Sequence, residues 1–382
     1  MKLLGLRVEV EFMTKFLNVV AQDLDVMVVS FTGDSGLTDY SASLCRELDK
    51  LGSVELVTAQ SFEQEKYMAT YPVFKLFRRT RQYPLDFWRF VAHVIRRRPR
   101  VLLLQSWLKW PIFELPWILV FRVLGVRMAL TVHDLIPHRP MPWSRKVLRL
   151  FYQQFDRLIV HSQHQREELE NMGVITPCLV VPHGVYDIFN TLNLDRFDGR
   201  RFFPSLHEND FVVLFFGHLD ERKGLLDFLH TAELLELDEP NIRFIVAGKS
   251  EISEVVRVAI SAARIQSNVL VYDYLIPHME VQRFFAACDV VALPYHEGTT
   301  SGVMKLAMAF RRPVVCTDVG DFVESLTIWP GLLVDQDRLP KSLAEKLLQA
   351  RDEYKDLMAR TASQSSEIQW RSIALRYLEY IM

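Results

Sequence analysis

An apolar run ending at Tyr295 gives way to HEGTTSG (296–302) and then to the helical pattern SGVMKLAMAF (301–310). Unpaired N–H groups and the positive end of the helix dipole make such a junction an anion site. The small residues Thr299, Thr300, Ser301 and Gly302 let an anion come close to the N–H groups around Ser301–Val303. Glu297, just before the turn, is a carboxylate that accepts hydrogen bonds from hydroxyl groups; its plainer role is as a partner of the helix dipole. A second apolar run leads into FGHLDERKG (216–224), which carries Gly217, His218, Arg222 and Lys223. Lys223 and Arg222 offer positive charge, whereas the charge of His218 depends on its surroundings. The plainer reading is a solvated loop, since adjacent basic residues are common on surfaces. TVHD (131–134) puts His133 at the end of a third apolar run, where a lone histidine is often only a satisfied core group, and Asp134 where a cap is the simpler role. GDSGLTDYS (33–41) places Gly33 and Gly36 ahead of a helix, so that the backbone there can approach a phosphate or an acceptor. It lacks the G-x-G-x-x-G of dinucleotide sites, which counts against nicotinamide and flavin chemistry.

The elements that position these groups alternate. DVMVVSF (25–31), VELVT (54–58), RVLLLQSW (100–107), RMALTVHD (127–134) and RLIVHS (157–162) read as strands with helical patterns between them. A second series runs through FVVLFFG (211–217), NIRFIVAG (241–248), NVLVYDYL (268–275), VVALPY (290–295) and PVVCTD (313–318). Strands apolar on both faces and separated by helices imply parallel, doubly wound α/β sheets. Ligands of such sheets bind at the carboxyl ends of the strands, where all four motifs lie. The polar, turn-rich stretch 184–209 reads as a linker, and IFELPWILVFRVLGV (112–126), interrupted by Glu114, Pro116 and Arg122, reads as a buried helix.

In order and spacing, the four motifs resemble those of GT-B glycosyltransferases of family 4, over nearly the whole chain. The resemblance implies two Rossmann-like doubly wound domains facing a central cleft, with a C-terminal helix returning to the N-terminal domain. The expected boundaries are an extension at 1–24, an acceptor-side domain at 25–190, a nucleotide-sugar domain at 191–365 and the returning helix at 366–382. It also implies a metal-independent hexosyltransferase that retains anomeric configuration and needs no cofactor beyond its nucleotide sugar, the co-substrate. His133, Glu297 and Lys223 match the catalytic positions. Gly36, Gly217, His218, Arg222, Lys223, Glu297, Thr300, Ser301, Gly302, Val303 and Lys305 match positions around the donor. Two positions depart from the pattern: His218 stands where a basic residue is usual, and Lys305 where a second glutamate holds the donor ribose. Lys has three donors and no acceptor, so Lys305 is expected to reach back to the phosphates instead. The departures also leave open a non-catalytic subunit that binds sugar nucleotide or a partner enzyme. The donor could be a GDP-, UDP- or ADP-sugar.

Bulk properties fit this class. The 382 residues are 49% hydrophobic and 24% charged, with a formal net charge of −2, so no global field points to nucleic acid. Cys45, Cys178, Cys288 and Cys316 are scattered, giving neither a zinc signature nor a disulfide framework. A reducing, cytoplasmic setting is expected. No run reaches the roughly 18 apolar residues of a membrane span. The aromatic and arginine-rich stretch 74–100, with Arg78, Arg79, Arg81, Arg89, Arg96, Arg97, Arg98 and Arg100, fits peripheral contact with an anionic inner membrane face. A surface helix whose arginines complement its own dipole fits it as well. Membrane contact would suit a carbohydrate or lipid-linked acceptor.

Overall fold

A computed structural model describes residues 24–78, 83–106, 111–133, 135, 144–298, 301–364 and 368–382. The chain divides into two compact units, one running to Pro182 and taking in Trp370–Met382, the other His183–Gln369.

In the first unit the order is β1 (Val26–Val29), α1 (Gly36–Leu48), β2 (Val54–Ala59), β3 (Val73–Phe77), α2 (Tyr83–Arg97), β4 (Val101–Leu104) and α3 (Pro111–Val123). There follow β5 (Arg127–Thr131), α4 (Ser144–Tyr152), β6 (Arg157–Val160), α5 (Gln163–Asn171) and β7 (Cys178–Val180). The strands make one parallel sheet in the order β3-β2-β1-β4-β5-β6-β7. β1, β4 and β6 are buried along their whole length or nearly so, as strands covered on both faces must be. One face carries Met27, Leu102, Met128 and Leu158 beneath α2, α3 and α4, which contribute Phe87, Phe90, Phe121, Leu148 and Phe151 to the same core.

The second unit begins with α6 (Arg196–Arg200) and continues through β8 (Phe211–Phe216), α7 (Leu225–Leu235), β9 (Ile242–Gly248), α8 (Glu254–Ala263), β10 (Val269–Asp273) and α9 (His278–Ala287). Then come β11 (Val290–Leu293), α10 (Gly302–Ala309), β12 (Val314–Thr317), α11 (Phe322–Ile328), β13 (Gly331–Val334), α12 (Lys341–Asp352) and α13 (Tyr354–Gln364). Its parallel sheet is ordered β10-β9-β8-β11-β12-β13. Two clusters of buried side chains fill its two faces. The stretch expected to be a linker is tied into this unit. Fully buried Asp289 accepts from Arg196 Nε at 2.6 Å, Arg200 Nη2 at 2.6 Å and the Val212 N–H at 2.7 Å.

The last helix, α14 (Trp370–Ile381), belongs to the first unit. The Tyr377 hydroxyl lies 2.8 Å from that of Tyr40 on α1 and 3.1 Å from Thr131 Oγ1 on β5. Trp370 meets the Tyr40 ring edge-on at 4.8 Å. Arg127 donates to the carbonyls of Ile381 and Met382, and Arg376 to that of Val180.

Two expectations change. Among the described side chains of α3, Ile118 and Phe121 are buried, while Leu119, Val120 and Val123 face outward. The segment expected to be buried therefore covers the sheet with one narrow stripe. The arginine-rich stretch also splits: 73–77 is strand β3, and Arg78 and Arg97 are tied down by Asp86 and Glu55. Arg79 and Arg81 lie outside the described residues.

Candidate active site

β8 and β11 are neighbours in the second sheet, with β9 and β10 on one side and β12 and β13 on the other. The chain thus switches direction between them, and the carboxyl ends of strands at such a switch point are the usual ligand position of an open α/β sheet. Gly217 follows β8 with φ +108°. A Cβ placed there would sit 3.4 Å from both Lys223 Nζ and Val303 Cγ2, so the lysine of one loop and the first turn of α10 converge over its backbone. Lys223 ends a one-turn helix, Glu221–Lys223, capped by Asp220, whose Oδ1 accepts the Lys223 N–H at 2.8 Å. Gly224 follows with φ +72°, and a Cβ on it would lie 1.9 Å from the Pro294 carbonyl oxygen. Only glycine fits there. The His296 N–H donates to the Arg222 carbonyl at 2.9 Å, and His296 Nε2 lies 2.7 Å from Asp227 Oδ2. These contacts lock the two loops together.

Among the described residues, Lys223 Nζ has no carboxylate within ion-pair distance; it lies 5.5 Å from the centre of the Tyr295 ring. Burial, opposed by Asp220 and assisted by Arg222, lowers its pKa from the usual lysine value. Arg222 is exposed, with Nη2 3.5 Å from Asp220 Oδ2. His218 and Glu297 are exposed as well. Ser301 is buried and caps α10, its Oγ accepting from the Met304 N–H at 3.4 Å and lying 3.3 Å from the Tyr295 hydroxyl. Burial pushes that phenol up to about 12. The N–H groups of Gly302 and Val303, at the start of the helix, have no partner within it. Thr300 lies outside the described residues. Lys305, expected at the phosphates, is buried with its Nζ 3.9 Å from Asp321 Oδ2 and 3.4 Å from Ser325 Oγ, toward α11.

In the first unit, the residues just after β4, β5 and β6 meet. His133 Nε2 lies 3.1 Å from Gln105 Oε1, and His133 Nδ1 lies 3.2 Å from His161 Nε2. His161 Nδ1 donates to the Val181 carbonyl at 3.0 Å, and Gln165 Nε2 to that of His133 at 3.0 Å. The Tyr40 ring packs edge-on against His133, with centroids 4.7 Å apart. Burial first, and then His161, hold the His133 imidazole well below the usual histidine range. Gln105 and His161 escaped the sequence reading, although each directly follows a buried strand, β4 and β6. Gly36 opens α1 and is exposed, beside a hydroxyl cluster in which Thr32 Oγ1 lies 2.6 Å from Ser35 Oγ and 3.0 Å from Thr38 Oγ1. Asp134 lies outside the described residues. Among the described residues, no group of three or more His, Cys, Asp or Glu is arranged to hold a metal ion.

Residues 35–187 match the family described as Glycosyltransferase Family 4, and residues 210–353 the family described as Glycosyl transferases group 1. The chain is 28% identical over 186 residues to the processive diacylglycerol alpha-glucosyltransferase of Acholeplasma laidlawii, a match covering 47% of this chain and 53% of that protein. It is 24% identical over 248 residues to the GDP-mannose:cellobiosyl-diphosphopolyprenol alpha-mannosyltransferase of Xanthomonas campestris, covering 62% and 61%. The chain thus spans between about half and three-fifths of the curated relatives it matches. The structure of Anabaena Alr3699/HepE in complex with UDP superposes with a TM-score of 0.70 at 16% identity, over 93% of this chain and 99% of that one, a likeness of fold. With both halves matched in order and the paired Rossmann-like units in place, the chain belongs to the GT-B glycosyltransferases of family 4.

Proposed function

We propose that the protein transfers a hexosyl group from a nucleotide-diphosphate sugar to a carbohydrate or lipid-linked acceptor, with retention of configuration. It would do so peripherally at the cytoplasmic face of a membrane. The observation that carries this reading is the convergence at Gly217 of the Lys223 ammonium, which has no carboxylate partner among the described residues, and the first turn of α10. Both suit a diphosphate. As the glycosidic bond breaks, negative charge grows on the leaving diphosphate, and fixed donors aimed at that charge supply the largest catalytic contribution in many enzymes. Lys223, with Arg222 beside it, provides the cation that a metal would otherwise provide. Glu297 accepts hydrogen bonds from the transferred sugar, and His133 helps to orient it. The leaving phosphate itself takes the acceptor's proton, so no protein base is assigned.

Purified protein is incubated with UDP-, GDP- and ADP-sugars, and release of the nucleoside diphosphate is followed. One donor is expected to turn over slowly in water and to stay active in EDTA. Lys223→Ala is expected to weaken donor binding and to lower turnover about ten- to a thousandfold, the range for one lost charge contact. Complete loss of activity in EDTA, restored by a divalent cation, would show that a metal takes the place assigned to Lys223. The burial of Lys305 against Asp321 favours a second reading, a non-catalytic subunit, because a lysine stands where the ribose acceptor is expected. That reading predicts binding without release from any donor.

A further inference from the structure

α2, α3 and α4 pack on one face of the first sheet, so their outward sides form one surface of the unit. Trp88 of α2 meets Trp117 of α3 at 4.2 Å, edge to face, and α3 packs against α4. On that surface Leu85, Trp88, Val120, Val123 and Leu150 are exposed, Trp88 at 56% and Val123 at 88%. Leu124, just beyond α3, is exposed too. Arg89, Arg96, Arg122, Arg145 and Lys146 stand among them, all exposed. The only carboxylate among the described side chains of the three helices is Asp86. It is buried, accepting from Arg78 N and Nε at 2.9 and 2.8 Å, with Arg89 Nη1 3.8 Å away. Arg97 is removed from the surface set, since its guanidinium closes on buried Glu55 at 2.8 Å beside His93.

This pattern differs from an ordinary solvated face. Surface helices usually mix charges of both signs over few large apolar groups. Here the apolar side chains are large and spread over three helices, and among the described residues the charged groups exposed with them are all cations. No described helix is long and apolar enough to cross a membrane. A surface that offers aromatic and branched aliphatic side chains together with one sign of charge matches an interface that is apolar inside and negative at its rim. An anionic bilayer has those properties: ring and aliphatic groups seat at the acyl boundary while guanidinium and ammonium groups stay at the headgroups.

We propose that the outward face of α2, α3 and α4 is the surface by which the protein docks on an anionic lipid bilayer. This deepens the peripheral location proposed above and is independent of the sugar-transfer chemistry. Trp88, Val123 and Leu124 enter the acyl boundary, and Arg89, Arg122 and Lys146 meet lipid phosphates.

The test is flotation of the full chain with vesicles of phosphatidylcholine alone or with phosphatidylglycerol added. The wild type is expected to float with the anionic vesicles, less so as salt rises, and to stay at the bottom with neutral ones. The triple variant Arg89→Glu, Arg122→Glu, Lys146→Glu is expected to bind at least about tenfold more weakly, given the contribution of each basic residue near an anionic surface. A control of equal charge change, Arg264→Glu, Lys355→Glu, Arg371→Glu, reverses exposed cations elsewhere and is expected to retain most binding. Trp88→Ser with Val123→Ser is expected to remove the part of binding that survives high salt. Nucleoside diphosphate release is expected to be unchanged in every variant, and thermal melts check that each variant remains folded. Equal flotation of wild type and triple variant overturns the surface assignment. A wild type that never floats overturns the peripheral location as well. A face that instead pairs two copies, seen as a dimer lost in Val123→Ser without vesicle binding, also overturns it. Vesicle binding without donor turnover leaves the surface standing and removes only the transferase reading.

Discussion

His133 is held in one tautomer by its neighbours. A carbonyl only accepts, so His161 Nδ1, 3.0 Å from the Val181 oxygen, carries a hydrogen. A neutral His161 then has a lone pair on Nε2, and His133 Nδ1–H, 3.2 Å away, donates to it. His133 Nε2 is left as an acceptor facing the Gln105 amide. Gln105 Nε2 is buried and has no partner among the described residues. Turning that amide so that Nε2 faces His133 gives it one and completes the chain. In nitrogen-15 spectra, His133 and His161 are both expected to be protonated on Nδ1, with His133 staying neutral as the pH is lowered from 7.5 to 6. His161→Phe is expected to release His133 into the Nε2–H form, while His161→Gln, which keeps an acceptor near the old Nε2, holds it. Wild-type His133 protonated on Nε2 would refute the chain. The depressed pKa has a sign for stability too. The unfolded histidine binds its proton near pH 6.5 and the folded one well below. Stability contributed here is thus complete above about pH 6.5 and declines as the pH falls further.

At the scale of elements, the loops after β8 and β11 act as one piece because Gly224 lets them touch. An alanine at 224 would have to hold φ +72° and place its Cβ 1.9 Å from the Pro294 oxygen. The left-handed backbone costs roughly 1–2 kcal/mol, and the clash adds to it by pushing the loops apart. Gly224→Ala is expected to lower the melting temperature by several degrees. It should also weaken, at least about tenfold, the binding of whichever nucleoside diphosphate stabilises the wild type, because Lys223 moves with the loop. Gly298→Ala is the control. Its Cβ would meet only ordinary contacts at 3.7 Å from Tyr295 and Val319, so both readouts are expected to hold. A Gly224→Ala protein with wild-type affinity would mean that the loops move independently. These elements were legible in sequence because buried parallel strands are continuous apolar runs and small residues mark the start of α10. What was not legible depended on distance and direction. Glu55 and Arg97 are 42 positions apart, so their pairing could not be read locally. The outward side of α3 has the same composition as a buried helix, and only the fold decides which way Val120 and Val123 point. β3 was hidden because VFKLF runs straight into arginines.

At the scale of the whole molecule, the chain leaves the first unit at Pro182, builds the second, and returns at Trp370 to finish the first. The second unit is thus an insertion in the first as far as chain connectivity goes, and the stability of the first depends on its last segment. α14 buries Trp370, Ile373, Ala374, Tyr377 and Ile381. Fully burying a large apolar side chain is worth about 1.5–3 kcal/mol, so the helix contributes several kcal/mol, a large share of the roughly 5–15 kcal/mol that holds a domain folded. Its removal also leaves Tyr40 and Thr131 without the Tyr377 hydroxyl they share. A chain ending at Gln369 is therefore expected to lose amide protection in α1 and β5, while β8 to β13, whose core contains no residue after Ile368, keep theirs. Hydrogen exchange read by mass spectrometry resolves the two units peptide by peptide. Tyr377→Phe keeps the ring and removes only the hydroxyl, so it should loosen the same peptides by about 1–2 kcal/mol and leave the second unit untouched. Uniform loss across both units would show that they unfold as one cooperative body. Unchanged protection in α1 would show that the returning helix is dispensable to the unit it completes.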